Sequence, residues 1–298
     1  MKKTIFRFLL FISINIVIAV IGLWIIHIFQ PDFNRNDTTT EATFSAIPTN
    51  QHFDFVIMGT SHAREFSRSG NKQLVEKTLH QSIFNLSKGM GHGGFLPNKA
   101  AWTFFEERDN TTKKLIYFVD PWVFYSKKWN EENYFLEDEP IRLDILQLAV
   151  RTGLSTGTFV NYFKSKLKPS YFLQKPISSK PNVKFLTKAD TALIRKQNER
   201  NYLDGLNQEN FNNYTQQFKV FIENIVNQGI DVRLVLPPTL LGKEPAYVQM
   251  KQFLESLKGV KFFDHTMAIP QPEYYYDLHH LNSKGVMLYI ENHGEVFE

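Results

Sequence analysis

Cysteine is absent from the 298-residue chain. That excludes disulfides, thiolate metal sites, a cysteine nucleophile and a lipobox-type lipid anchor, so any covalent chemistry must run through another atom. Excess charge of one sign is also small. The 34 Lys and Arg against 30 Asp and Glu leave +4, with a pI near 9.0, too mild for a nucleic-acid-binding stripe but compatible with an anionic membrane or polymer. Internal repeats are missing, and low-complexity sequence is confined to the Thr-rich stretch from Asp37 to Glu41. What the chain has in quantity is apolar material, 43% of residues with 27 Phe, which supplies a packed core and excludes wholesale disorder. At roughly 150 residues per domain, the length suits one large domain with an anchor.

Residues 8–26 form an uncharged, mostly apolar run, which as a helix reaches about 28 Å and crosses a hydrocarbon core of about 30 Å. Lys2, Lys3 and Arg7 precede the run and Pro31 and Asp32 follow it. The positive-inside bias then puts the N-terminus in the cytoplasm and the rest of the chain outside. The run ends in Leu23-Trp24-Ile25-Ile26 without a small-residue cleavage site, so it reads as an uncleaved anchor rather than a signal peptide. Asn15 inside it either bonds a partner helix or faces a neighbour's backbone. The sequence thus divides into an anchor over 1–30, a polar linker over 31–51 and a folded domain over 52–298.

Within the domain, short apolar runs at 53–58, 82–87, 114–119, 232–236 and 260–263 suit strands buried on both faces of a parallel sheet. Between and after them, apolar residues spaced by three and four predict helices over 71–80, 97–108, 210–228, 245–257 and 283–292, with Gly229 closing the third. Alternating strand and helix predicts an α/β domain. Residues 122–207 break the rhythm with mixed aromatic and charged residues and with Pro140, Pro169, Pro176 and Pro181. This insertion is too long for a structureless loop and is expected to hold short helices that cover one end of the sheet and shape a groove.

Two distant stretches carry reactive groups. Gly59-Thr60-Ser61-His62 directly follows the first strand, where a strand-to-helix turn holds a hydroxyl at the sheet edge that binds ligands in α/β folds. Asp277-Leu278-His279-His280-Leu281-Asn282 lies near the C-terminus. A serine hydroxyl is a weak nucleophile at neutral pH and needs an imidazole to take its proton and a carboxylate to orient that imidazole. Ser61, His280 and Asp277 provide the three. Each stretch alone has an ordinary explanation, an N-cap serine or a surface polar pair.

Together they resemble the first and last sequence blocks of the SGNH (GDSL-like) hydrolase superfamily. The resemblance implies a flavodoxin-like three-layer α/β/α fold, with Ser61 as nucleophile, His280 as general base and then acid, and Asp277 orienting His280. It also implies an oxyanion hole built from the Ser61 amide, a glycine after the second strand and an asparagine after the third. After the second strand stand Gly89 and Gly91, either of which fills the glycine's place; after the third, Asp120-Pro121-Trp122 replaces the expected Gly-x-Asn. Losing one oxyanion donor costs about 100- to 1000-fold in rate. With its anchor and bulky insertion the chain is similar to the extracytoplasmic proteins of polymer acylation, such as those of D-alanyl-lipoteichoic acid biosynthesis and alginate O-acetylation. That likeness implies a multi-pass membrane acyltransferase as partner and an acylated glycan or polymer as substrate.

Further residues are candidates for substrate contact: His62 beside the serine, His92 in the glycine-rich turn, and Asp120 and Trp122 after the third strand. Trp122, Phe124, Tyr125, Trp129 and Tyr134 either stack on sugar or lipid or pack the core. Tyr274 to Tyr276 are expected to pack around the Asp277–His280 loop. A metal site of His62, His92, His279 and Asp277 lacks the tight spacing of zinc ligands, and neither a metal nor another cofactor is expected. Two functions therefore stand: an anchored serine esterase or O-acyltransferase, or a non-catalytic module that binds glycan or docks a membrane acyltransferase.

Overall fold

The computed structural model of the protein describes residues 2–29, 44–87, 94–131, 135–137, 139–152, 155–168 and 180–298. The apolar N-terminal run lies in helix α1 (Lys2–Phe29), whose window Lys3–Gly22 has a mean hydropathy of 2.4. By length and composition it is able to cross a membrane. Its apolar side chains, among them Phe6, Phe11, Ile18 and Trp24, are exposed. Asn15 satisfies its own amide, donating to the Phe11 carbonyl at 2.7 Å one turn back.

Five parallel strands form the central sheet: β1 (Phe55–Gly59), β2 (Ile83–Asn85), β3 (Lys114–Phe118), β4 (Asp231–Leu236) and β5 (Val260–Asp264). Their spatial order is β2-β1-β3-β4-β5. All five positions of β1 and of β3 are buried, the reason that, apart from Lys114 at the start of β3, their sequences read as continuous apolar runs instead of alternating ones. Val56 and Met58 point into one core and Phe55 and Ile57 into the other, as a period of two requires.

The described helices after α1 are α2 (Ser61–Arg64), α3 (Asn71–Leu79), α4 (Phe95–Glu107), α5 (Lys127–Glu131), α6 (Leu143–Arg151), α7 (Thr156–Ser165), α8 (Thr191–Asn201), α9 (Gln208–Asn227), α10 (Tyr247–Ser256) and α11 (Ser283–Asn292). Phe104, Phe105, Phe218, Ile222, Met250 and Leu254 bring α4, α9 and α10 onto the first face. Val75, Val286, Tyr289 and Ile290 bring α3 and α11 onto the second. The chain adds β2 on one side of β1 and β3 to β5 on the other, so the strand order reverses between β1 and β3, and the crevice at their carboxyl ends is the place where such sheets bind ligands.

The folded body begins earlier than the sequence suggests. Phe44 and Ile47 are buried, the Phe44 ring meets Phe104 edge-on at 5.4 Å, and the Glu139 carboxylate accepts the Phe44 and Ser45 amides at 2.8 and 3.2 Å. The polar, Thr-rich composition around them hid two apolar side chains three residues apart. Of the expected linker, residues 31–43 lie outside the described residues. The insertion does hold short helices, α5 to α8, as expected; its residues 169–179 also lie outside the described residues.

Candidate active site

β1 ends in Gly59, whose φ of +139° is open to glycine and costly for other residues. A Cβ there would lie 2.5 Å from the Phe118 carbonyl oxygen of β3, so the chain passes its neighbour only because the side chain is missing. Thr60 then caps α2 in an extended conformation and Ser61 is its first residue. The first amides of a helix have no intrahelical partner, which leaves the Ser61 N–H available.

The C-terminal stretch forms a closed loop over this edge. The Tyr276 amide donates to the His280 carbonyl at 3.1 Å, and the Leu278 carbonyl accepts from the Leu240 amide at 3.0 Å. Asn282 fixes the loop's exit: its Oδ1 accepts the Gly285 amide at 3.0 Å, capping α11, while its Nδ2 donates to the Glu273 and Lys184 carbonyls at 2.8 and 3.0 Å.

This geometry brings the distant residues together. His280 Nε2 lies 2.6 Å from Ser61 Oγ, and His280 Nδ1 lies 2.8 and 2.9 Å from the two Asp277 oxygens. Asp277 Oδ1 also accepts the His279 and His280 amides, both at 2.8 Å. Burial opposes the Asp277 charge, but the His280 contact and the two amides outweigh it and hold the carboxyl well below the usual range. Tyr276 stacks on the His280 ring, centroids 5.3 Å apart and planes within 9°, with its hydroxyl donating to Glu65 at 3.0 Å. Imidazole orientation is thereby set from both the edge and the face.

Ser61 and His280 open into a cavity of about 490 Å³, whose walls include Trp122, Trp129, Leu186, Lys188, Lys196 and Arg200. Trp129 meets Trp122 edge-on at 4.9 Å. Residues 186–201, all from the expected insertion, form one wall, so the insertion does shape a groove. Lys188, Lys196 and Arg200 make no ion pair among the described residues, and the nearby Asp190 carboxylate is occupied by the Ala192 and Leu193 amides at 2.8 and 3.2 Å. Three cations against the single Asp190 carboxylate leave this wall with a net positive charge.

Behind the serine lies a second, buried constellation. His62 Nδ1 is 2.8 Å from Asp120 Oδ1, and the Thr60 hydroxyl donates to Asp120 Oδ2. Burial works against the imidazolium of His62, yet the Asp120 charge, helped by Glu244 and Asp277, raises its pKa on balance. Burial likewise opposes the Asp120 charge and His62 and Thr60 overcome it, so its carboxyl titrates below its ordinary range. Glu244, buried and accepting the Tyr202 hydroxyl at 2.9 Å, is pushed up to about 7 by burial and by Asp120. His279 is pushed down to about 3 by burial and by the neighbouring His62 and His280.

Of the residues expected to meet substrate, Trp122 lines the cavity and His62 borders it, but Asp120 does not reach it. Asp120 is 3% exposed because the hydroxyl and imidazole beside it draw the carboxylate inward. Gly89, Gly91 and His92 lie outside the described residues, as does Tyr134. Sequence reading missed Glu244 and the cationic wall. The four-residue spacing of Lys196 and Arg200 on one helix face was a usable signal for the wall; nothing local marked Glu244.

No family model matches the chain, and no curated protein is similar to it.

Proposed function

We propose that this chain is an anchored serine-type enzyme that forms and resolves an acyl ester on Ser61. The observation that carries the reading is the continuous contact from Ser61 Oγ through His280 to Asp277. In the first half-reaction His280 Nε2 takes the Ser61 proton as Oγ attacks the acyl carbonyl, Asp277 stabilises the imidazolium, and the Ser61 amide is one donor to the oxyanion. His280 returns the proton to the leaving alcohol. In the second half it deprotonates water, giving an esterase, or an acceptor hydroxyl, giving a transferase.

The strand order, the serine after the first strand and the Asp-x-x-His loop near the C-terminus support membership of the SGNH superfamily with a flavodoxin-like layering. Lys2, Lys3 and Arg7 before the apolar run of α1 support an extracytoplasmic domain. Lys188, Lys196 and Arg200, without an ion-pair partner among the described residues and beside two tryptophans, favour an acylated glycan or polymer that carries negative charge. Tethering the site to a membrane raises its effective concentration toward membrane-linked donors or a multi-pass acyltransferase.

A non-catalytic docking module is the second reading, favoured by one feature: an inward-turned Asp120 occupies the place of an oxyanion-donating asparagine. A burst assay on p-nitrophenyl acetate separates the two. The enzyme reading expects rapid release of p-nitrophenol stoichiometric with protein, abolished by Ser61→Ala; a wild-type protein without a burst or turnover favours the docking module.

A further inference from the structure

His265, His293 and Glu295, away from the serine cavity, bring three donors of a different kind together. His265 directly follows β5, whereas His293 and Glu295 follow the last turn of α11. Glu295 Oε1 lies 3.6 Å from His265 Nε2 and 3.4 Å from His293 Nδ1, and all three donor atoms fall within 4.8 Å of one another. A tetrahedral ion with bonds of about 2.1 Å spaces its ligands about 3.4 Å apart. Two of the three edges thus stand near their metal-bound length, and the third needs to close by at most about 1.4 Å, within reach of side-chain rotation.

The surroundings suit a cation. The His265 Nδ1 is 2.8 Å from the buried Tyr289 hydroxyl. With the Nδ1 proton donated to Tyr289, the Nε2 lone pair is directed toward the other two donors, the outer contact that metal-bound imidazoles commonly make. Arg233, which donates to the Glu295 carbonyl at 2.8 Å, is paired with Asp231 at 2.6 Å, so its charge is offset. Glu295 is about half exposed, which gives an ion a way in and leaves a fourth position for water. Two imidazoles and one carboxylate match zinc-type ions, whereas calcium and magnesium seek oxygen-only sets.

We propose that His265, His293 and Glu295 form a binding site for a zinc-type divalent cation, fastening the C-terminal turn to the end of β5. The test uses the full chain in detergent, stripped with chelator, titrated with ZnCl2 by calorimetry and with CoCl2 by visible absorption. One tight zinc ion per chain is expected, together with the intense visible bands of four-coordinate cobalt. Glu295→Gln and His293→Ala should each weaken zinc by about 100-fold or more and remove those bands, and Tyr289→Phe should weaken it about tenfold. Circular dichroism of the metal-free variants, expected to match wild type, separates ligand loss from unfolding. Absence of zinc binding, equal affinity in wild type and Glu295→Gln, or only the weak bands of six-coordinate cobalt would each overturn the proposal.

Discussion

Replacing Asp277 by Asn changes one atom and tests the proposed proton relay without removing volume. The Asp277 carboxylate collects three N–H groups: the His279 and His280 amides and the His280 ring at Nδ1. The asparagine side chain has one acceptor oxygen. If that oxygen keeps the two amides, the side-chain NH2 faces the His280 ring, which must then accept at Nδ1 and carry its proton on Nε2. In that tautomer Nε2 has no lone pair for the Ser61 proton 2.6 Å away. A serine triad that loses its carboxylate in this way falls about 10⁴-fold in kcat, which converts to about 5.5 kcal/mol of transition-state stabilisation. We expect a loss of that size in acyl-enzyme formation, read as the single-turnover burst on p-nitrophenyl acetate, with a KM changed by less than about threefold because Asp277 is not asked to bind substrate. A D277N protein acylating within about tenfold of wild type would refute the tautomer argument.

Glu244, with its carboxyl raised from 4.5 to about 7, keeps a proton in the folded chain that the unfolded chain has lost; stability should therefore fall as pH rises through that window and level off above it. Glu244→Gln should remove this slope, stabilising the protein by at most about 3 kcal/mol at pH 8 and little at pH 4, which urea unfolding at both pH values would show. Lys196→Ala with Arg200→Ala should raise KM for an acidic acylated glycan about tenfold at low salt while leaving a neutral ester unchanged, and equal effects on both substrates would contradict an electropositive wall. Gly59→Ala should cost about 3 kcal/mol, since the new methyl meets the Phe118 carbonyl at a positive φ; an unchanged melting temperature would show that the turn relaxes freely.

Legibility in the sequence followed the range of the interactions. The sheet was visible because β1 and β3, buried on both faces, left nearly continuous apolar runs, and the apolar stretches of β4 and β5 resembled them. Ser61 and the Asp277–His280 loop were visible for a related reason: each sits in a short segment whose residue order the chemistry fixes. Asp120 read as a substrate contact because its position after β3 is that of a binding residue; its partners, Thr60 and His62, come from the turn and short helix that follow β1 and turn it inward. Glu244 was invisible, since its burial depends on Tyr202 folding back from the insertion. Phe44 was concealed by polar neighbours, its burial being decided by Phe104 and Glu139 far along the chain.

Fluorophosphonate labelling followed by peptide mass spectrometry tests the central claim most directly. An activated serine should give one covalent adduct on the peptide that carries Ser61, lost in Ser61→Ala and strongly slowed in His280→Ala. A wild-type protein that stays unmodified, or one labelled at a different residue with Ser61 intact, would contradict the account.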